Sequence, residues 1–371
     1  MNRRISRVVA LVVTIATSTL TFAQQYTITP LDHLGGATES RAMGINNLGQ
    51  IVGFTVDASG NSHAATWQSS GSGNLLPVLS QTNPLSEAYR INNAGQIVGK
   101  ARTDSNASHA AYWAGGNVTD MGVIGGATSF ANDINEAGVV AGSSDATRGS
   151  VAFTWTPGGG FVNYGNFNTT DNQQRAGFNG INDTGTLVGT AYRLFSPFKA
   201  IKATVGNLSV TEISPAGQFS TGMGLAVNDA GTMVGYQNPG AGSAHAAIFD
   251  GNRGWMDLGA LGLSDSQAKD INQSGVIVGD AFGDDGQGNF LAKSFVYKNG
   301  AMTDLMTLIA PGSGWAELFQ ANGVNDLGQI VGVGVFNGET RGYVLTPVPE
   351  PASASVFASA ALVLLARRRR A

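Results

Sequence analysis

The chain of 371 residues contains no cysteine. That excludes disulfides, thiolate metal sites and cysteine nucleophiles together. Charge is scarce as well, at 12% of residues, about half the usual share. There are four His, and six Glu once Glu350 is set aside, and no carboxylate pair stands out among them. Neither a G-x-S-x-G elbow nor an H-E-x-x-H helix occurs. Low charge argues against long solvated helices. The 52 glycines, roughly twice the usual share, argue for strands joined by tight turns. A hydrophobic content of 42% excludes a disordered chain. Seven of the 21 basic residues sit at the two ends: Arg3, Arg4, Arg7 and Arg367 to Arg370. Without them and Glu350 the middle holds 14 basic and 24 acidic residues, a net charge of −10. Such a surface does not attract nucleic acid.

The ends read as addresses. Residues 1–23 have a basic start, an apolar stretch and a small-residue exit at Thr21-Phe22-Ala23, the pattern of a signal peptide cut after Ala23. Residues 347–371 run from Pro349-Glu350-Pro351 through an apolar stretch of about 15 residues, marginal for a bilayer core, to four Arg. An apolar hook with a basic stop behind it holds an exported protein transiently at the membrane while a processing enzyme acts.

The middle, residues 24–346, is a repeat. INNLGQIVG (45–53) recurs as INNAGQIVG (91–99), INEAGVVAG (134–142), INDTGTLVG (181–189), VNDAGTMVG (227–235), INQSGVIVG (271–279) and VNDLGQIVG (324–332). A near-constant period of this size means a repeat architecture. In each copy Asn and Gly make a turn between two apolar runs, so the segment reads as a hairpin. The turn positions are Asn46, Asn92, Asn135, Asn182, Asn228, Asn272 and Asn325. The closing Gly of each copy points to close backbone approach or a bulge in the second strand. A third apolar strand such as HAATW (63–67) and a fourth such as VTDMGVI (118–124) complete each unit. Four short strands per unit predict an all-β fold, a seven-bladed β-propeller. Only six fourth strands follow their units. YTITPLDHLGG (26–36) precedes the first unit, so it is expected to pair onto the last blade and close the ring. The chain is expected to be a monomer.

Two resemblances follow from these residues. VPEPA, an Ala/Leu-rich segment and RRRR resemble the PEP-CTERM sorting signal of Gram-negative bacteria. This implies signal peptidase and an exosortase as processing partners, with cutting near Pro349-Glu350-Pro351. It also implies a destination at the cell surface or in the extracellular matrix. LGG (34–36), Ser40-Arg41-Ala42, INNLGQIVG and His63-Ala64-Ala65-Thr66-Trp67 resemble the HAF repeat of bacterial extracellular proteins. Lys199 and Lys293 depart from its His, and Ala203 and Tyr297 from its Trp. That family implies export and repetition and no known reaction.

Candidate site residues are few. His63, His109 and His245 share one repeat position. Ligands must converge, so a position spread around a ring argues against a metal. Asp57, Asp104, Asp145, Asp284 and Asp285 lie in the turns before the third strands. Asp284-Asp285 bears a weak likeness to a calcium loop without its alternating spacing, and no other cofactor is indicated. Trp67, Trp113 and Trp155 recur in register and read as core. Trp255 and Trp315 fall out of register and are the better candidates for exposed stacking, on a sugar for instance. The chain therefore reads as a non-catalytic propeller for surface or matrix interaction, with polysaccharide or surface proteins as partners. A carbohydrate-active or other hydrolytic enzyme on the same scaffold is the alternative.

Overall fold

The computed structural model describes residues 26–349 except 148, 166–173, 194–196, 216–220, 239–241, 252–253 and 285–286. Ala23, Glu350, Pro351 and Asp285 lie outside the described residues, as do nearly all of the two address segments. The described residues form strands that pair antiparallel apart from isolated parallel bridges, and the one helical element among them is a 3-10 turn at Leu305–Leu308. No helix among them is long and apolar enough to cross a membrane.

The sheets form a β-propeller. Five are separate four-stranded sheets, each a meander of consecutive strands apart from the closing one. The first repeat unit is typical, with strands Glu39–Ile45, Gln50–Val56, Ser62–Gln68 and Gly73–Leu75. Seven separate sheets were expected, and the third and fourth units depart from this. They share one eight-stranded sheet, in which a single parallel bridge from Ser150 to Arg175 joins residues 129–165 to 174–212. The fourth strands are also shorter than expected. In the second unit the strand stops at Gly122, whose φ of 79° turns the chain out of the sheet. The last sheet takes its outer strand from the other end of the chain. Tyr26–Pro30 pairs antiparallel with Glu339–Pro347, Tyr26 opposite Pro347 and Pro30 opposite Tyr343.

The core lies between neighbouring units. Val52 and Ala64 of the first unit pack with Ala88, Ile97 and Trp113 of the second, all buried. Alternation along each strand gives one set of side chains to each neighbouring sheet. Trp67 and Trp113 are core residues, and each indole N–H reaches a carbonyl of the preceding fourth-strand region, Asp32 and Pro77.

Every unit carries a β-bulge in its first strand. The register slips between Ala42 and Gly44, Ala88 and Arg90, Ala131 and Asp133, Phe178 and Gly180, Gly224 and Ala226, and Ala268 and Asp270. In the seventh unit it slips between Ala321 and Gly323. Of the two readings of the closing Gly, close backbone approach is the one observed, and the bulge lies in the strand opposite. It pushes the carbonyl of the preceding residue toward that Gly. A Cβ on Gly53, Gly99, Gly142, Gly189, Gly235, Gly279 or Gly332 would meet this carbonyl oxygen at 1.8–2.2 Å. The repeated glycine is thus the steric partner of the bulge.

Candidate functional site

The seven hairpin turns close two rings of hydrogen bonds around the axis. Each repeated Asn accepts, through Oδ1, the backbone N–H four residues on, at 2.7–3.0 Å. The turn Gly follows at positive φ, 74° at Gly49. The same Asn then donates Nδ2–H to the backbone carbonyl of the Asn in the next unit. The chain of donors runs Asn46, Asn92, Asn135, Asn182, Asn228, Asn272, Asn325 and back to Asn46, at 2.8–3.3 Å. All seven are 2–6% exposed, and only Asn46, Asn272 and Asn325 reach the cavity at this mouth.

The residue after each Asn makes the second ring. Its backbone N–H donates to a side-chain oxygen of the equivalent residue in the next unit. The order is Asn47, Asn93, Glu136, Asp183, Asp229, Gln273, Asp326 and back to Asn47, at 2.8–3.2 Å. Four of these seven are carboxylates, so this mouth of the axial channel is acidic. Burial and the neighbouring Asp183 and Asp326 charges raise the Glu136 pKa, against the pull of its bond from Asn93.

One residue before each repeated Ile or Val, the wall carries Gly44, Arg90, Asp133, Gly180, Ala226, Asp270 and Gly323. Only three have long polar side chains, and they form a waist. Asp133 accepts the N–H of Ile134 and of Ile181 in the next unit; Asp270 likewise accepts Ile271 and Val324. Arg90 donates to the carbonyls of Met43 and Tyr89 and lies 4.0 Å from Asp133. Desolvation raises both aspartates and Arg90 opposes it, leaving Asp133 at about 6.

Past the waist the bulges throw one further residue per unit toward the channel: Met43, Tyr89, Asn132, Asn179, Leu225, Lys269 and Asn322. They line a chamber of about 330 Å³ with no carboxylate in its wall. The cavity on the acidic side is about 160 Å³. Repetition in the sequence locates the turns, but the bulged residues are Asn in only three of the seven units and vary in the other four, too irregular a pattern to read as a position.

The candidates from sequence do not converge here. His63 pairs with Asp57 at 3.4 Å, His109 with Asp120 at 2.9 Å and His245 with Asp257 at 2.9 Å, each within its own unit. Lys199 takes the same place beside Glu212, and Arg341 beside Glu339. Asp57 caps its own turn, and bonds from the Asn61 backbone and side chain hold its carboxyl at about 2. Asp284 is exposed at the end of Ile277–Asp284 and accepts the Gly288 N–H at 3.3 Å. Among the described residues no group of three or more His, Asp or Glu is placed to hold a metal ion.

The expectation of exposed Trp platforms is corrected. Trp315 is 6% exposed, packed on Phe336 and Tyr343. Trp255 is half-buried beside Phe249, and its N–H reaches the Ile213 carbonyl of the preceding unit. It supplies from the fourth strand the link that Trp67 and Trp113 make from the third. Packing against the neighbouring sheet is worth more to an indole than exposure.

Comparison with protein-family models and with curated proteins gave no match. Among solved structures, one from a study of two prolyl endopeptidases aligns over 88% of this chain at 11% identity, with a TM-score of 0.55. TolB from Acinetobacter baumannii aligns over 80% of this chain and 64% of its own, at 14% identity and a TM-score of 0.45. The Aleuria aurantia lectin aligns over 89% of this chain and 99% of its own, at 12% identity and a TM-score of 0.36. This chain spans about half the length, 51%, of the prolyl endopeptidase chain it matches. At such identity the likeness is to a fold alone, the β-propeller.

Proposed function

We propose that the chain is an exported, exosortase-processed, non-catalytic propeller of seven blades that binds at the cell surface or in the extracellular matrix. The blade count treats the eight-stranded sheet as two blades. In support, the backbones of its halves pair at one bridge only, and each half contributes one Asn to the closed ring. Signal peptidase and an exosortase are the processing partners, and polysaccharide or surface proteins are the binding partners.

One observation carries the non-catalytic reading. Every carboxylate of the channel waist and mouth already accepts a backbone N–H from an adjacent unit. These groups hold the ring together. The second reading, a hydrolase, has one specific support: Asp133 is held at about 6, in the range where a carboxyl can serve as general acid or base. A glycan array and a broad hydrolase screen on the full chain separate the two. Binding without turnover supports the first. Turnover that disappears in a folded Asp133→Asn variant would replace it with the second. Export is tested at the tail, where Glu350→Ala should leave an unprocessed, membrane-held form. Normal processing of that variant would remove the sorting role.

A further inference from the structure

We propose that the acid-free chamber of the axial channel, continued through Asn179 into a side groove, binds a neutral oligosaccharide. One sugar would occupy the chamber and the next would lie against Tyr192 and Phe198. This rests on the surface-binding reading above and gives it a ligand class and a place.

Charge compensation argues for a neutral ligand. Lys269 is 2.8 Å from Asp280 and donates to Asn322. Arg90 faces Asp133 and Asp270. Neither chamber cation is left seeking an anion, and no carboxylate lines the chamber; the groove wall adds Arg175, which donates to the Ser150 hydroxyl at 3.4 Å. The remaining wall is suited to hydroxyls, which both donate and accept. Asn132 and Asn179 spend their Nδ2 groups on the Phe178 and Gly224 carbonyls of adjacent units, which fixes the two amide planes. Their Oδ1 atoms accept nothing among the described residues. The Tyr89 hydroxyl donates to Glu87, so its oxygen is left as an acceptor. Met43 and Leu225 give an apolar surface for the C–H face of a ring.

The groove is where the propeller's symmetry breaks. It has a volume of about 180 Å³, lies at the bridge between the third and fourth units, and shares Asn179 with the chamber. Thr190 accepts from the Asn179 amide at 3.1 Å. Tyr192 and Phe198 stand edge to face at 5.0 Å, with Phe198 40% exposed. An aromatic pair beside hydroxyl and amide groups offers both a stacking face and hydrogen bonds. Chamber and groove together fall in the size range of small-ligand sites.

The test is an array of neutral and uronate-bearing oligosaccharides on the full chain, then titration with the best neutral disaccharide and its monosaccharide. The disaccharide should bind at least tenfold tighter. Leu225→Trp, which fills the chamber, should weaken both sugars tenfold or more. Tyr192→Ala, at a half-buried position in the groove, should remove the preference for the disaccharide while the protein still folds cooperatively. This variant keeps the test open if Leu225→Trp fails to fold. Glu136→Gln, at the opposite mouth, should change neither affinity. Binding of uronates alone, or of no sugar, overturns the proposal. Sugar binding that survives both Leu225→Trp and Tyr192→Ala overturns this site and leaves the surface-binding reading standing. Failure of that reading shows separately, as loss of the native protein from the surface fraction.

Discussion

At the residue scale, one side chain type does two jobs. The amide oxygen of each repeated Asn shapes its own turn, and the amide nitrogen ties that turn to the next. Aspartate could keep the first role and would lose the second. Asn182→Ala leaves the Thr186 N–H without its acceptor and takes one of two donors from the Asn228 carbonyl, which keeps the Gly231 N–H, at a cost of about 2 kcal/mol. Asn182→Asp should cost at least as much, because it also buries a charge; urea unfolding of both variants checks this. Asp133 gives a pH signature. Its folded pKa of about 6 lies above its unfolded value near 4. The folded state therefore holds the proton more tightly, and this site favours folding at low pH. That contribution falls as pH rises from about 4 to 6 and is gone above. Subtracting the Asp133→Asn unfolding curve from wild type, pH by pH, should show that decline. A flat difference would mean that the carboxyl is solvated.

At the element scale, the bulge and the glycine opposite it act as a pair. In Gly99→Ala the new methyl would sit 2.0 Å from the Glu87 carbonyl oxygen, which the bulge at Tyr89 holds in place. The expected loss is about 3 kcal/mol, at the upper end for overpacking, read by chemical denaturation. Gly95→Ala, in the open turn, meets no neighbour within 4 Å and carries only its positive-φ strain. It should cost clearly less. Half of this pairing was legible in sequence. A glycine recurring inside a strand signals crowding, but the crowding partner is a backbone carbonyl and carries no residue code. Ala88-Tyr89-Arg90-Ile91 looks like an unbroken strand, so the slip that turns both Tyr89 and Arg90 toward the channel was invisible. The chamber went unread for that reason. Its residues run from Met43 through Tyr89 and Asn132 to Lys269, and a search for repetition discards what varies. Trp255 and Trp315 show that being out of register is not being free: Trp255 reaches the preceding unit through Ile213, and Trp315 packs on Phe336 and Tyr343.

At the scale of the whole molecule, the missing fourth strand was a sound guide because it is a matter of counting. Deletion of residues 24–36 removes Tyr26–Pro30 from the last sheet, together with Leu31, which is fully buried. It also exposes the edge of Glu339–Pro347 to pairing with other chains. The full ring should then melt many degrees lower and tend to associate; unchanged melting of the truncated chain would mean the ring is held by the Asn bonds alone. The division of charge was not legible. Composition gave an acidic average, and the fold sorts it, with carboxylates at the turn end of the axis and amides at the other.

The pairing of Tyr26 with Pro347 also decides how the molecule would hang. Both chain exits lie side by side, so a protein held by its C-terminal tail is held at one point of its rim. The Gln329 amide donates to the Thr346 hydroxyl at 3.3 Å, and a side chain on Gly328 would meet Pro347, which places that point on the turn face, beside the acidic mouth. Tethered there, the propeller would keep its carboxylates toward the bilayer. The amide-lined chamber would open the other way, toward whatever lies outside the cell.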